Sequence, residues 1–170
     1  YAAVFRAIFL IILLAYSLLP LKAQIYDNGI GLRIGETQGV VFKHFINQPT
    51  AIEANISFFR GGINAYLLGE YHIYGVVPGE NLSVYVGGGL HAAYVDGTKI
   101  PGWYPDDPGF SYQSLAGIDL IVGAEYSFDE FPFCIGLDVK PALNILGNLH
   151  YWQGWGISVK YIFISSQPLQ

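Results

Sequence analysis

The chain has 170 residues, of which 52% are hydrophobic, 16% aromatic and only 12% charged, with a formal net charge of −5. A soluble domain ordinarily carries about 25% charge. This composition excludes a disordered chain, the acidic balance excludes a nucleic-acid-binding surface, and no apolar run after residue 20 is long enough for a membrane-spanning helix. An exported apolar β protein or a membrane β-barrel remains.

The first segment reads as a leader. Arg6 precedes an apolar run over 7–19, Pro20 breaks it, and Leu21-Lys22-Ala23 follows. A basic start, a short apolar stretch and a terminal small residue match a secretory signal peptide. Residues 1–23 are therefore expected to be removed, leaving 24–170 as one domain. The single Cys134 has no second cysteine with which to form an internal disulfide.

After Gln24 the hydrophobic period is two, the period of strands. The alternation predicts eight strands near 29–35, 39–46, 51–58, 63–73, 82–94, 115–127, 132–141 and 154–163. Turn residues separate them at Asn47-Gln48-Pro49, Arg60-Gly61-Gly62, Pro78-Gly79-Glu80-Asn81 and Asp129-Glu130. Two connections read as longer, 95–114 and 142–153. Short hairpins imply antiparallel neighbours in up-and-down order.

The two faces of these strands differ. One carries Ile30, Leu32, Ile34, Val40, Phe42, Ile56, Leu67, Leu90, Leu120, Val122, Leu137, Ile157 and their like, with no Asp, Glu, Lys or Arg. The other carries Arg33, Lys43, Glu53, Glu70, Asp119, Glu125, Asp138, Lys140 and Lys160. Alternation alone leaves the orientation open. A lipocalin-like barrel turns its apolar face inward, whereas a membrane barrel turns it to lipid. Three features favour lipid. The polar face is rich in Gly, Ser, Asn and Tyr, as suits a crowded interior. Aromatics gather at strand ends, with Phe45, Tyr71, Tyr74, Phe128, Phe131, Phe133, Tyr161 and Phe163 expected at one rim and Phe58, Tyr94, Tyr112, Tyr151, Trp152 and Trp155 at the other. The turns read as short at one end and longer at the other, except at Glu36-Thr37-Gln38. The prediction is an all-β, eight-stranded antiparallel up-and-down transmembrane β-barrel.

The strings Gly29-Ile30-Gly31-Leu32-Arg33, Phe42-Lys43-His44-Phe45, Tyr85-Val86-Gly87-Gly88-Gly89-Leu90-His91, residues 117–126 and Leu137-Asp138-Val139-Lys140-Pro141 carry a family resemblance. In order and spacing they resemble the small outer-membrane β-barrel domain family of Gram-negative bacteria, the OmpA-type barrels, over roughly 25–165. The resemblance implies a single eight-stranded barrel in the outer membrane, usually without an assigned activity, and the chain is expected not to be an enzyme. Val159-Lys160-Tyr161-Ile162-Phe163 is similar to the aromatic-ended signal read by the barrel-assembly machinery, although seven residues follow Phe163. Outer-membrane lipids and lipopolysaccharide are the implied surroundings, and a monomer the implied state.

Eight strands enclose a lumen that side chains can fill, and charges there need partners. Hairpin reflection places Lys43 near Glu53, Asp119 opposite Lys140, and Asp138 near Lys160. Arg33 and Lys43 are placed to share Glu53 and Glu70, and Tyr85 to donate to Glu70. Such a network fills and locks the barrel, or lines a narrow small-solute channel. His91 reads as a hydrogen-bonded filler and His44 as an interfacial residue. His72 and His150 show no Ser and acid in local register, so no catalytic site is expected. No metal spacing and no cofactor motif is present; Asp106-Asp107 with Asp96 is the one acid group with a conceivable divalent ion. Recognition falls to the 95–114 connection, where Trp103, Tyr104, Asp106, Asp107 and Phe110 mix aromatics and acids with prolines, joined by Trp152 at the same rim. The protein reads as a structural or adhesive barrel, with a small-solute channel and a secreted lipocalin-like binder as the alternatives.

Overall fold

The computed structural model describes residues 26–59, 61–75, 81–96, 112–146 and 151–163. They form β1 (Asn28–Gly35), β2 (Gln38–Asn47), β3 (Thr50–Phe59), β4 (Gly62–Tyr74), β5 (Leu82–Asp96), β6 (Tyr112–Ser127), β7 (Phe133–Leu146) and β8 (Tyr151–Phe163). Each strand pairs antiparallel with its sequence neighbours, and β8 returns to β1 through Asn28 opposite Phe163 and Gly35 opposite Gly156. The sheet is a closed barrel, so no strand edge is left unpaired.

The predicted strands are all present, but the last three are longer than the alternation suggested. β7 runs past Pro141 to Leu146 and β8 begins at Tyr151, so the connection read as 142–153 is 147–150. Proline offers no N–H to a ladder. The β6–β7 ladder accordingly holds Val122 opposite Val139 and Asp119 opposite Ala142, with Pro141 lying between them. Beyond it the strand resumes.

The expected asymmetry of the turns is reduced. At the terminal end, where the chain enters β1 and leaves β8, the connections are 48–49, 75–81 and 128–132. At the far end they are 36–37, 60–61, 97–111 and 147–150. Only 97–111 is long, and 75–81 exceeds the other three at the far end.

Polarity is inverted relative to a soluble barrel. Leu32 is 65% exposed, Leu90 62% and Leu120 63%, and the outward apolar strand positions with a described side chain, from Ile30 to Phe163, are exposed or half-buried. The charged positions point the other way. At the rims Tyr71, Tyr74, Phe131, Phe133, Tyr161, Phe163, Phe58, Tyr94 and Trp155 are exposed as expected. Phe45 is not: its parity turns it inward, where it is buried against Tyr26. Tyr112, Tyr151 and Trp152 lie in strands at the far end, with Trp152 opposite Ala142.

The outward belt yields a direct test. Leu120→Arg places a cation on the lipid face and is expected to cost about 2–4 kcal/mol of folding free energy in vesicles if its depth is near the midplane. Leu120→Phe should cost little. Urea titration of refolded protein, read by gel mobility, measures both; an Arg variant as stable as wild type would mean that this face does not meet lipid.

Candidate functional site

The strand registers bring the inward charges together in the middle of the lumen. Lys43 and Glu53 sit directly opposite each other on β2 and β3, as the hairpin reflection predicted. Lys43 Nζ lies 2.7 Å from Glu70 Oε2, 3.2 Å from Glu125 Oε2 and 3.3 Å from Glu53 Oε2. It also stands 4.3 Å above the Tyr85 ring centroid. Glu125 is shared in turn, since Lys160 donates to Oε2 at 2.6 Å and the Tyr26 hydroxyl to Oε1 at 2.5 Å. Lys140 donates to Glu53 Oε1 at 3.4 Å. Arg33 forms an ion pair with Asp138, whose Oδ2 also accepts from the Tyr85 hydroxyl at 3.5 Å.

The cations Arg33, Lys43, Lys140 and Lys160 thus face the anions Glu53, Glu70, Glu125 and Asp138, and none of them is more than 3% exposed. The numbers of the two signs match. Removing charges from water is affordable only when each has an opposite charge at hydrogen-bond distance. Asp119 is held apart from this set by His91, whose Nδ1 lies 2.9 Å from Asp119 Oδ2 and whose Nε2 lies 2.6 Å from Asn144 Oδ1. His91 is the hydrogen-bonded filler that its position suggested.

Several pairings differ from the reflected ones. Asp119 is opposite Ala142, not Lys140. The hairpin closes where Phe128 N donates to Phe133 O, so its loop is Asp129–Pro132 rather than Asp129-Glu130. Two added loop residues move each partner on β7 by two. Lys160 falls opposite Cys134, and Asp138 opposite Gly156, so these two are not mates. Arg33 reaches over Gly156 of β8 to Asp138 on β7 rather than sharing Glu53 and Glu70 with Lys43. Tyr85 is opposite His72 and donates to Asp138, not to Glu70.

A further group escaped the sequence reading. His72 Nε2 lies 3.2 Å from Glu70 Oε2 and Nδ1 lies 3.1 Å from Ser83 Oγ. The expectation that His72 has no Ser and acid in register is therefore wrong. Glu70 stands two residues away on the same strand face, and Ser83 reaches it across β4–β5. All three are buried, the Phe45 ring lies 4.8 Å from the imidazole, and Glu70 Oε2 is also occupied by Lys43. Glu70 was legible from its i,i+2 spacing to His72, whereas Ser83 is placed only by the register of the β4–β5 hairpin.

Inward glycines make room for this network. A Cβ on Gly156 would stand 2.5 Å from Arg33 Cζ, and one on Gly123 would stand 2.5 Å from Tyr85 Cζ. One on Gly117 would stand 2.8 Å from His91 Cε1. Large side chains on β1 and β5 therefore occupy spaces that β6 and β8 leave open. Apolar layers lie along the axis: Tyr26, Phe45, Ala51, Cys134 and Ile162 at the terminal end, Leu68, Tyr85 and Ile121 in the middle, and Ala93, Val95 and Leu115 at the far end.

His44 is exposed on the outer face, with Nδ1 2.8 Å from Asn28 Oδ1. Asp96 is buried at the end of β5, and among the described residues no group of three or more His, Cys, Asp or Glu forms a metal site. Trp103, Tyr104, Asp106, Asp107, Phe110 and His150 lie outside the described residues, as does the expected leader over 1–23.

A closed eight-stranded sheet, apolar outside and ion-paired within, defines a transmembrane β-barrel. No protein-family model matches the chain, and no curated protein matches it. Among solved structures, it is similar to the N-terminal β-barrel domain of OprF from Pseudomonas aeruginosa, with a TM-score of 0.56 and 16% identity over 79% of this chain and 95% of that one. At that identity the likeness shows the fold alone, a closed eight-stranded β-barrel.

The pairings are open to a double-mutant cycle. Asp138→Asn alone should cost about 3–5 kcal/mol, because it leaves Arg33 buried without its mate. Arg33→Met with Asp138→Leu should cost less than the two single changes together. The same cycle on Asp119 and Lys140 should show the smaller coupling; the reverse ranking would refute the β6–β7 register.

Proposed function

We propose that the protein is a non-enzymatic integral barrel of a Gram-negative outer membrane, exported by a cleaved leader over 1–23, with a structural or adhesive role. The inverted polarity is the observation that carries this reading. An apolar belt needs lipid around it, and the balanced ion pairs suit an interior that serves as core rather than as a conduit. The same inversion argues against a secreted lipocalin-like binder, whose apolar face would line a ligand cavity. The fully buried, mutually paired charges on inward positions argue against the narrow small-solute channel. Lipopolysaccharide and phospholipid are then its surroundings, the barrel-assembly machinery its partner during insertion, and a monomer its state.

An adhesive role would belong to the 97–111 connection. Trp103, Tyr104, Asp106, Asp107 and Phe110 combine aromatic contact area with acids and rigid prolines, and Trp152 lies on β8 at the same end.

Fractionation and planar-bilayer recording test the reading together. The protein should be recovered with the outer membrane and require detergent for release; a mature chain that stays soluble without detergent overturns the membrane assignment. Reconstituted protein should give no stable unitary conductance, whereas steady single-channel steps would make it a channel. Replacing Trp103, Tyr104 and Phe110 together by Ser should lower cell adherence without lowering the amount of folded barrel. Unchanged adherence would leave the structural role alone.

A further inference from the structure

Tyr26, two residues before β1, does not trail away from the barrel. Tyr26 is 3% exposed, and its side chain enters the terminal end of the lumen. Its hydroxyl donates to Glu125 Oε1 at 2.5 Å, and its ring meets Phe45 edge-on at 5.0 Å between centroids. Ala51, Cys134 and Ile162 complete the apolar wall. A Cβ on Gly29 would come within 3.3 Å of Tyr26 Cε2, so that glycine leaves the ring its space.

The backbone around it is pinned from outside. Asp27 N donates to Phe163 O at 3.3 Å, and Phe45 N donates to Asp27 O at 2.8 Å. Gln48, in the β2–β3 turn, acts as a clasp. Its Nε2 donates to Tyr26 O at 3.3 Å, and its Oε1 accepts from the Tyr74 hydroxyl at 2.5 Å. Tyr74, partly exposed, stacks over His72 at the same mouth. Behind Tyr26 lie Glu125, Lys160 and Lys43, all buried and ion-paired.

We propose that Tyr26 is a tethered stopper. Its side chain occupies a phenol-binding site at the terminal end of the lumen, made by Glu125 as acceptor and by Phe45, Ala51, Cys134 and Ile162 as walls. A small free phenol takes the same site when the tethered one is absent. The far-end cluster of Ala93, Val95 and Leu115 is separate from this site.

Cys134, the sole cysteine of the chain, lies in the wall of this site at 0% exposure and reports on it. Full-length mature barrel, folded in micelles as judged by gel mobility, is treated with a small methanethiosulfonate reagent. Wild type should react slowly. Tyr26→Ala should react about tenfold faster or more, as expected for loss of a charge-assisted hydrogen bond and the covering ring. Added 4-methylphenol should slow that reaction back toward wild type, and toluene, which lacks the hydroxyl, should protect less. Equal rates in folded wild type and Tyr26→Ala, or no protection by 4-methylphenol, would overturn the proposal. Should Tyr26→Ala fail to fold, Gln48→Ala releases the clasp while keeping the ring. It should raise the rate, and an unchanged rate counts against the stopper.

Discussion

Lys43 holds the interior together. Its ammonium meets three carboxylates from three other strands and the face of Tyr85, and every one of these groups is buried. One cation cannot neutralise three anions. Lys160 must therefore reach Glu125 and Lys140 must reach Glu53, and each of these brings another strand into the set. Desolvation is the reason the set is closed. A buried charge without a mate costs several kcal/mol, so a change at one member is felt by strands that do not touch it.

Closure of the sheet supplies the geometry that this requires. An open sheet would leave β1 and β8 apart, and Arg33 on β1 could not be brought near Asp138 on β7. Once closed, a strand has two faces with opposite solvents. Lipid takes Leu32, Leu90 and Leu120, and the remaining parity must pack against itself. Stability of the wall and pairing in the lumen are thus two aspects of one constraint, because backbone hydrogen bonds around the ring fix the register that places each charge.

Much of this architecture could be read from residue order. Strict alternation identified the eight strands and which residues share a face, since one period-two pattern persists through each. Lys43 opposite Glu53 was legible because only Gln48-Pro49 separates the two strands. The reading failed where the loop length was misjudged. Pro132 extends the loop after β6, and Asp119 moves from Lys140 to Ala142. Contacts between strands that are not hairpin neighbours, such as Arg33 with Asp138 or Tyr26 with Glu125, have no local signature, because they depend on closure of the whole ring. Phe45 was placed at the rim because aromatic content at a strand end says nothing of which side it faces; parity from Lys43 would have turned it inward.

The glycines packed against the side chains of Arg33, Tyr85 and His91 carry a consequence for remodelling the barrel. They are sockets, and each bulky side chain is a plug cut for one of them. A lumen built this way has no spare volume to be shared out, so its occupants cannot be exchanged one at a time. Enlarging Gly156 calls for a shorter side chain in place of Arg33, and that in turn calls for a neutral residue in place of Asp138. To hollow the barrel would mean removing matched sets, whereas the lipid face, whose side chains meet only fluid chains, can change one position at a time.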